Sequence, residues 1–288
     1  MSRSGLGFDS TADSVAGIAE RLRSAGCVFA EEEARLLMAA ASSPADVSAT
    51  VERRIAGNPL EHILGWAEFG GLRIELDTGV FVPRRRTELL VNEAVALLSD
   101  VSAGESKVRR GRARISARPV GPRVVVDLCC GSGAAGAVLA SRMPGLELHA
   151  ADLDPAAVAC ARRNVGRVGG VVHEGDLFDA LPRVIKGRVS VLTANAPYVP
   201  TAEISTMPRE ARDFEPMLSL DGGADGLDLH RRIAAGAREW LRVGGHIIIE
   251  TSERQAKRTA LILAAAGFVV RTARSAELDG TVVVGRAG

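Results

Sequence analysis

The tetrapeptide Asn195-Ala196-Pro197-Tyr198 has side chains that could hold a flat nitrogen group. An Asn side-chain oxygen and the backbone carbonyl of Ala196 can together accept both N–H bonds of an amide or an exocyclic amine. Such a grip would orient the nitrogen and stabilise the positive charge that develops as it attacks an electrophile. Tyr198 could stack on the planar group, and Pro197 would stiffen the backbone. Asn-x-Pro is also common in turns, so a simple strand-ending turn is the alternative.

A glycine-rich loop of the form G-x-G-x-x-G occupies residues 131–136, after a predicted strand and at the start of a predicted helix. Asp152 ends the next predicted strand, at the spacing of about 20 residues where a carboxylate can accept hydrogen bonds from ribose hydroxyls. Glycines let the backbone approach a nucleotide, and the acid binds the ribose. NAD and S-adenosylmethionine share these needs, so the motif alone leaves a hydride-transfer enzyme open.

Three further features favour S-adenosylmethionine. Asp127 lies in the strand before the loop, where its charge would repel a pyrophosphate but suit an ammonium and a sulfonium group. The Gly-x-Gly loop occurs once, and the chain ends on two predicted strands joined without a helix, unlike the two halves of a dinucleotide-binding fold. The tetrapeptide at 195–198 would have no evident role in a hydride-transfer enzyme. We therefore predict S-adenosylmethionine as the cofactor and methyl transfer to a planar nitrogen.

The elements that must position these residues alternate between strand and helix after residue 122. Strands are predicted at 124–128, 146–152, 170–174, 188–194 and 245–250, with helices between them at about 131–142, from 155 and at 227–241, and a last helix up to 266. The final strands, at 268–270 and 281–284, are predicted to be an antiparallel pair. This pattern predicts an α/β fold with a Rossmann-like, seven-stranded, doubly wound sheet, whose ligand crevice lies at the carboxyl ends of the strands.

The first 65 residues have the pattern of a small helical domain. Good helix formers with an apolar face fill 31–40, Ser42-Ser43-Pro44 ends that helix, and a second helix is predicted at 46–56.

A connector between the two domains is predicted at 66–86. Apolar and charged residues alternate from Leu72 to Leu76, and Asp77-Thr78-Gly79 then indicates a turn, so we predict a β-hairpin with its turn at 77–79. The methyltransferase domain is assigned to 87–288.

Residues 100–123 contain many basic side chains: Lys107, Arg109, Arg110, Arg112, Arg114, Arg118 and Arg123. The segment has no hydrophobic periodicity, so we predict a solvated, flexible linker. The alternative is a basic arm that touches RNA or a ribosome.

The chain has 288 residues, a formal net charge of +1 and 3% aromatic residues. A basic surface with interleaved aromatic residues, typical of single-strand nucleic-acid binding, is therefore not expected. The four cysteines form no C-x-x-C pair, and no apolar run has the length of a signal peptide or membrane span, so we expect a cytoplasmic protein. The five histidines lack metal-ligand spacing, and no metal is predicted.

Along nearly its whole length the chain resembles the protein-(glutamine-N5) methyltransferases of the HemK/PrmC type, which methylate the glutamine of a Gly-Gly-Gln motif in peptide-chain release factors. Besides the glycine loop and Asp152, the matching stretches are 54–65, 69–72, 81–84, 87–90, 175–178, 212–216 and 221–228. The resemblance implies transfer of a methyl group from S-adenosylmethionine to the side-chain amide nitrogen of a protein glutamine.

The resemblance also implies roles for individual residues. Residues 129–133 would wrap the methionine end of the cofactor, and Asp152 would hold its ribose. Asp176 and Leu177 would meet its adenine, and Asn195 would touch both cofactor and acceptor. With Asp127, the predicted cofactor-binding set is Asp127, Cys129, Cys130, Gly131, Ser132, Gly133, Asp152, Asp176, Leu177 and Asn195.

On the acceptor side, the resemblance implies that residues 195–198 clamp the glutamine and that the helical domain helps to grip a release factor. The family usually has Asn-Pro-Pro-Tyr; because only the backbone carbonyl of Ala196 is needed, the chemistry is expected to survive. Two other departures indicate a divergent branch. Residues 84–88 read Arg-Arg-Arg-Thr-Glu where the family has Arg-Pro-Glu-Thr-Glu, and Cys129-Cys130 replaces the usual Gly-Thr.

Two other functions stay open at this level. The same clamp would fit an exocyclic amine of adenine or guanine in RNA or DNA. The basic segment 100–123 supports that acceptor, whereas the near-neutral charge and low aromatic content disfavour it. A non-catalytic binding protein on the same fold is the other alternative, and the intact Asp152 and Asn195 argue against it.

Overall fold

The computed structural model describes residues 14–107 and 122–288, with backbone alone for 100–107. Four helices come first: α1 (Val15–Ser24), α2 (Ala30–Ala40), α3 (Pro44–Ile55) and α4 (Leu60–Leu64). The hydroxyls of Ser14 and Ser43 cap α1 and α3 by accepting hydrogen bonds from backbone amides. The apolar faces of the first three helices meet around Leu22, Leu37 and Val51, which are fully buried.

A two-stranded antiparallel hairpin follows, but its turn differs from the predicted one. Its strands are β1 (Trp66–Phe69) and β2 (Leu72–Glu75), joined by Gly70 and Gly71. These glycines have φ angles of 58° and 84°, the left-handed backbone that a two-residue hairpin turn of type I′ requires. The chain also turns at 77–80, where the N–H of Val80 donates to the carbonyl oxygen of Asp77, but no strand follows, so the predicted position of the hairpin turn is wrong.

The helix α5 (Glu88–Lys107) follows the connector and extends into residues 100–107, which belong to the predicted flexible linker. The stretch 100–107 contains no proline and a single glycine, so nothing in its sequence ends the helix. Arg123 already belongs to a strand, so the described parts of the predicted linker 100–123 are helix and strand, apart from residue 122. The rest of that linker, 108–121, lies outside the described residues, as does the predicted basic arm.

The central sheet contains seven strands: β3 (Arg123–Leu128), β4 (Leu146–Asp152), β5 (Val171–Glu174), β6 (Val189–Ala194), β7 (Leu241–Glu250), β8 (Phe268–Ser275) and β9 (Gly280–Ala287). Their order across the sheet is β5-β4-β3-β6-β7-β9-β8. The first five in this order are parallel, and β9 runs antiparallel to both β7 and β8. The predicted Rossmann-like sheet with a final antiparallel pair is confirmed.

The helices that follow α5 are α6 (Ala134–Arg142), α7 (Pro155–Gly166), α8 (Arg209–Phe214), α9 (Asp228–Trp240) and α10 (Ala256–Ala265). Alternate residues of β3 face opposite sides of the sheet. Val124 and Val126 belong to a core with α9 and α10, whereas Val125 belongs to a core with α5, α6 and α7. Both faces are therefore covered, which leaves the carboxyl ends of the strands for a ligand. Within 14–107 and 122–288, no helix has the length and apolar character to cross a membrane.

The carboxyl ends of four neighbouring strands meet at one edge of the sheet. Leu128 of β3 pairs with Ala151 of β4 on one side and with Ala194 of β6 on the other. Ala194 pairs in turn with Ile249 of β7. The next residue along each chain segment therefore reaches the same edge, in the order Asp152, Cys129, Asn195 and Glu250.

Candidate active site

A cavity of about 580 Å³ lies at this edge of the sheet, within the size range of small-molecule sites. Nearly all of the predicted site residues line it: Asp127, Cys129, Cys130, Gly131, Ser132, Asp152, Asp176, Leu177, Asn195, Ala196, Pro197 and Tyr198. Gly133 does not line the cavity.

The glycine loop joins the end of β3 to α6. The backbone N–H of Gly131 donates to Asp152 Oδ2 at 2.8 Å, which fixes the loop to the end of β4. Gly133 precedes α6 with a φ of 75°, and a Cβ there would lie 2.7 Å from Val165 Cγ2. Gly133 therefore serves the close packing of the loop against α7.

Two cavity residues have the left-handed backbone that favours glycine. Cys129 has a φ of 54° and Leu177 a φ of 49°, and Asp279 is the third such non-glycine residue in the described part of the chain. This conformation costs a side-chain-bearing residue about 1–2 kcal/mol, and such strain concentrates at functional sites. Cys129 therefore occupies its place in the loop at an energetic cost.

The carboxylate of Asp152 faces the cavity and is oriented by backbone amides. Its Oδ1 accepts from the N–H of Asp154 at 3.0 Å, and its Oδ2 accepts from Gly131. Burial raises the pKa of Asp152, and these hydrogen bonds oppose the rise. Each oxygen keeps a lone pair that a ribose hydroxyl could use.

Asp176, which the resemblance predicted to meet the adenine, lines the cavity. Its Oδ2 forms an ion pair with Arg232 Nη2 at 2.7 Å, and Arg232 also lines the cavity. The sequence pattern did not indicate Arg232, because it lies on α9, far along the chain from Asp176.

Asp127 lies beneath the glycine loop and is 2% exposed. Its Oδ1 accepts from Thr193 Oγ1 at 2.8 Å, and its Oδ2 accepts from the N–H of Gly136 at 3.0 Å. Burial raises the pKa of Asp127 to about 6, although both hydrogen bonds oppose the rise. The group is mostly ionised at pH 7, so a negative charge lies beside the place predicted for a cationic cofactor.

The two cysteines of the loop have no nucleophilic role at neutral pH. Burial raises the pKa of the Cys129 and Cys130 thiols, and the charges of Asp152 and Asp127 raise it further. Both thiols therefore stay protonated, and a protonated thiol is a poor nucleophile.

The tetrapeptide leaves β6 and turns along the cavity wall. Asn195 Nδ2 donates to Thr87 Oγ1 at 3.2 Å. Among the described residues, neither Asn195 Oδ1 nor the carbonyl oxygen of Ala196 receives a hydrogen bond. Two acceptor oxygens thus remain available at the cavity, as the clamp requires.

Tyr198 is fixed at both ends. Its carbonyl oxygen accepts from Gln255 Nε2 at 2.9 Å, and its hydroxyl lies 3.5 Å from Glu250 Oε1. Burial, followed by the charge of Glu250, raises the pKa of Tyr198 to about 12, so the hydroxyl is neutral and can donate.

Sequence reasoning missed the roles of Glu250 and Thr87. Glu250 is 1% exposed, and burial raises its pKa to about 7. The available signal was an acid placed directly after the apolar run Ile247-Ile248-Ile249, at the end of a strand that reaches the crevice. Thr87, the residue just before α5, also lines the cavity.

Phe81, Pro83, Arg84 and Arg86 of the connector line part of the cavity. Arg84 Nη2 donates to the buried Glu215 Oε1 at 2.6 Å, and the same oxygen accepts from the N–H of Val82 at 3.2 Å. These bonds hold the connector against the segment after α8. Phe81 and Leu218 add apolar surface to the cavity lining.

Comparison with known proteins identifies a methyltransferase. The family model of the methyltransferase small domain matches residues 115–208. A release factor glutamine methyltransferase of Bradyrhizobium diazoefficiens is 32% identical over 281 residues, which cover 91% of this chain and 89% of the relative. A second, from Geobacter sulfurreducens, is 34% identical over 220 residues, covering 76% and 69% of the two chains.

A solved structure of a methyltransferase from Pyrococcus furiosus superposes with a TM-score of 0.52 over 84% of this chain and 99% of that one. Its identity is 14%, so this likeness concerns the fold alone. The Bradyrhizobium relative extends the similarity over 91% of this chain. They confirm the resemblance seen in the motifs and, with the fold, imply S-adenosylmethionine as the methyl donor. The chain belongs to the release factor glutamine methyltransferase family.

Proposed function

We propose that this protein methylates the side-chain amide nitrogen of a protein glutamine, in the Gly-Gly-Gln segment of a peptide-chain release factor. The names of the relatives support this acceptor. The observation that carries it is the state of Asn195: its Nδ2 is held by Thr87, and its Oδ1 is left as an acceptor beside the free carbonyl oxygen of Ala196.

The acceptor side of the site needs to orient a weak nucleophile. An amide nitrogen shares its lone pair with the adjacent carbonyl group, so it attacks only when held in a suitable geometry. Asn195 Oδ1 and the carbonyl oxygen of Ala196 accept its two N–H bonds and stabilise the charge that develops on it. Tyr198 covers one face of the planar group. No strong base is required, because the nitrogen becomes acidic once it is methylated.

The other half of the cavity fits the cofactor. S-adenosylmethionine supplies an electrophilic methyl group on a positively charged sulfur. The loop 129–132 lies next to the buried charge of Asp127, which suits a cation. Asp152 offers two oriented oxygens to a ribose, and Asp176 with Leu177 bounds the place of the adenine. Gly133 does not line the cavity; it lets the glycine loop pack closely against α7.

The helical unit at 14–65 is assigned to gripping the acceptor protein. The exposed Val28 and Phe29, 83% and 68% accessible, offer apolar surface between α1 and α2. The basic side chains of residues 100–123 also support a contact with nucleic acid. A release factor works in the cytoplasm, and we place this protein there.

Labelled methyl transfer tests the proposal. Purified protein, labelled S-adenosylmethionine and a release factor should give protease-sensitive, nuclease-resistant label. A release factor whose Gly-Gly-Gln glutamine is replaced by alanine is the matched control and should stay unlabelled. Label that enters only RNA or DNA would instead establish an exocyclic amine as the acceptor and overturn the proposal.

A further inference from the structure

The side-chain amide of Gln255 joins the acceptor segment, residues 195–198, to a neighbouring loop. Its Nε2 donates to the carbonyl oxygen of Tyr198 at 2.9 Å and to the carbonyl oxygen of Asp225 at 3.3 Å. Its Oε1 accepts from Ser252 Oγ at 2.6 Å. Gln255 does not line the cavity, so any effect on the methyl acceptor passes through the groups that Gln255 holds.

These three hydrogen bonds require one orientation of the Gln255 amide. The carbonyl oxygens of Tyr198 and Asp225 can only accept, so the NH₂ group must face them. The hydroxyl of Ser252 donates to the other end of the amide. Turning the amide over would place Oε1 against two carbonyl oxygens and lose both bonds. The surrounding groups therefore define the direction of the hydrogen bond to Tyr198.

A packed helix supports the Gln255 donor. Gln255 immediately precedes α10, whose residues Ala256, Thr259 and Leu263 are buried. The backbone N–H of Gln255 also donates to the carbonyl oxygen of Ser252 at 3.1 Å, which closes the turn between β7 and α10. A donor supported in this way can fix the position of a carbonyl oxygen.

The carbonyl group of Tyr198 influences the placement of the whole acceptor segment. The ring of Pro197 fixes its φ angle, and each peptide unit is planar. Few soft torsion angles therefore lie between the carbonyl oxygen of Ala196 and that of Tyr198. Holding the second oxygen restricts the first, which is one of the two acceptors of the proposed clamp. It also restricts the direction of the Tyr198 ring.

The acceptor segment, Gln255 and the loop before α9 meet at Gly226. This glycine has a φ of 74°, and a Cβ there would overlap the carbonyl oxygen of Tyr198 and lie 2.5 Å from Gln255 Nε2. Just beyond the segment, the N–H of Val199 donates to the carbonyl oxygen of Leu220 at 3.1 Å. The end of the acceptor segment is thus held by the loop and by Gln255 together.

We propose that Gln255 is a positioning residue for methyl transfer, which places the Ala196 carbonyl oxygen and the Tyr198 ring by holding the carbonyl oxygen of Tyr198. This inference rests on the proposed function, because the position of the segment affects kcat only if the segment holds the methyl acceptor. In the described part of the chain, the Gln255 side chain forms no hydrogen bond to Asp152 or to the glycine loop. Loss of its donor should therefore lower kcat and leave the KM for S-adenosylmethionine nearly unchanged.

Three substitutions separate hydrogen bonding from packing. Gln255→Met keeps the length of the side chain but removes the donor, and should lower kcat by about 10- to 100-fold. Gln255→Glu is closer in shape, yet its carboxylate would face two carbonyl oxygens, so it should lower kcat further. Ser252→Ala leaves the donor in place and should lower kcat less than either. A Gln255→Glu variant more active than Gln255→Met would show that shape matters rather than the hydrogen bond, and would overturn the proposal.

Gly226→Ala tests the same contact by a steric route. The added Cβ should displace the carbonyl oxygen of Tyr198 and lower kcat as Gln255→Met does. Gly187→Ala is the matched control: Gly187 also has a φ of 74°, but a Cβ there meets no neighbouring atom within 4 Å, so kcat should not change. The double variant of Gly226→Ala with Gln255→Met should be no worse than Gly226→Ala alone. Losses that add would contradict a shared contact.

An NMR signal of Tyr198 makes the test independent of the acceptor. Tyr198 is the only tyrosine in the chain, so tyrosine labelled with ¹³C at its carbonyl carbon gives a single protein signal. Loss of a hydrogen bond to the carbonyl oxygen moves this signal upfield. The signal should therefore move in Gln255→Met and keep its wild-type position in Gly187→Ala.

Together these measurements separate the positioning role from the proposed function. If the wild type methylates a release factor while Gln255→Met is equally active or leaves the signal in place, the positioning role is refuted and the proposed function stands. If the signal moves and label enters a different acceptor, more slowly in Gln255→Met than in the wild type, the positioning role is upheld and only the proposed function fails.

Discussion

At the scale of single residues, the acceptor site depends on one amide side chain. Asn195→Ala removes the Oδ1 acceptor, so turnover should fall by about 10² or more. Affinity for S-adenosylmethionine, measured by calorimetry, should fall less, because Asp152 and the glycine loop remain. Asn92 provides a matched control: it is exposed on α5 and pairs with Arg142, so Asn92→Ala should keep full turnover. Full turnover in Asn195→Ala would contradict the clamp.

Glu250 also predicts a dependence of stability on pH. An acid whose pKa is raised on folding binds its proton more tightly in the folded state, so stability is lost as pH rises from its ordinary pKa to its folded pKa. For Glu250 that interval runs from 4.5 to about 7. Glu250→Gln avoids the loss, and its gain in unfolding free energy over the wild type should be about 3 kcal/mol larger at pH 8 than at pH 4.

Urea denaturation at the two pH values measures this difference. Glu277→Gln is the control, because Glu277 is 85% exposed and its replacement should change the unfolding free energy equally at both pH values. If the gain in unfolding free energy of Glu250→Gln is the same at pH 4 and pH 8, folding does not raise the pKa of Glu250.

Most of the site residues could be predicted from sequence because each belongs to a local pattern. The glycine loop, Asp152 and the tetrapeptide all lie just beyond a recognisable strand, and parallel strands bring their carboxyl ends together. Thr87 could not be predicted in its role, because its bond to Asn195 joins residues 108 positions apart. No local pattern contains such a pair.

At the scale of elements, the strands of the sheet were predictable because they are buried, apolar runs bounded by turn residues. The hairpin shows where this reasoning fails. Both Gly70-Gly71 and Asp77-Thr78-Gly79 are turn signals with left-handed glycines, and only the strand pairing shows which of them joins the hairpin. The end of α5 was missed for a related reason: 100–107 lacks an apolar stripe, yet its backbone remains helical.

The glycine loop carries a strain that can be measured. Cys129 has a φ of 54°, whereas the φ of Cys130 is not positive. Replacing Cys129 by glycine relieves the left-handed strain, while the same change at Cys130 relieves nothing and adds flexibility to the unfolded chain. Cys129→Gly should therefore be more stable than Cys130→Gly by about 1–2 kcal/mol in thermal or urea unfolding. Equal stabilities of the two variants would show that the loop accommodates the Cys129 side chain without strain.

At the scale of the whole molecule, the helical unit and the sheet domain are joined by polar contacts that sequence patterns do not show. Arg54 of α3 donates to Glu33 within the helical unit and to Glu210 of α8 at 2.5 Å. His62 Nε2 lies 2.8 Å from the carbonyl oxygen of Val80 in the connector. Because α8 is followed by Pro216, Leu218, Ser219 and Leu220, which line the cavity, these contacts link the proposed acceptor grip to the cavity wall.

Arg54 allows a test of how firmly the two units are joined. Arg54 and Glu33 are both 8% exposed, so Arg54→Ala leaves a buried carboxylate without its partner and cuts the bond to Glu210. We expect the free energy of unfolding to fall by about 3–5 kcal/mol in urea denaturation. The matched control is Arg21→Ala, whose pair with Glu52 is exposed, so its loss should cost at most about 1 kcal/mol. If both variants lose the same small amount, Arg54 does not hold the helical unit, and the attachment must rest on the apolar contacts of the connector.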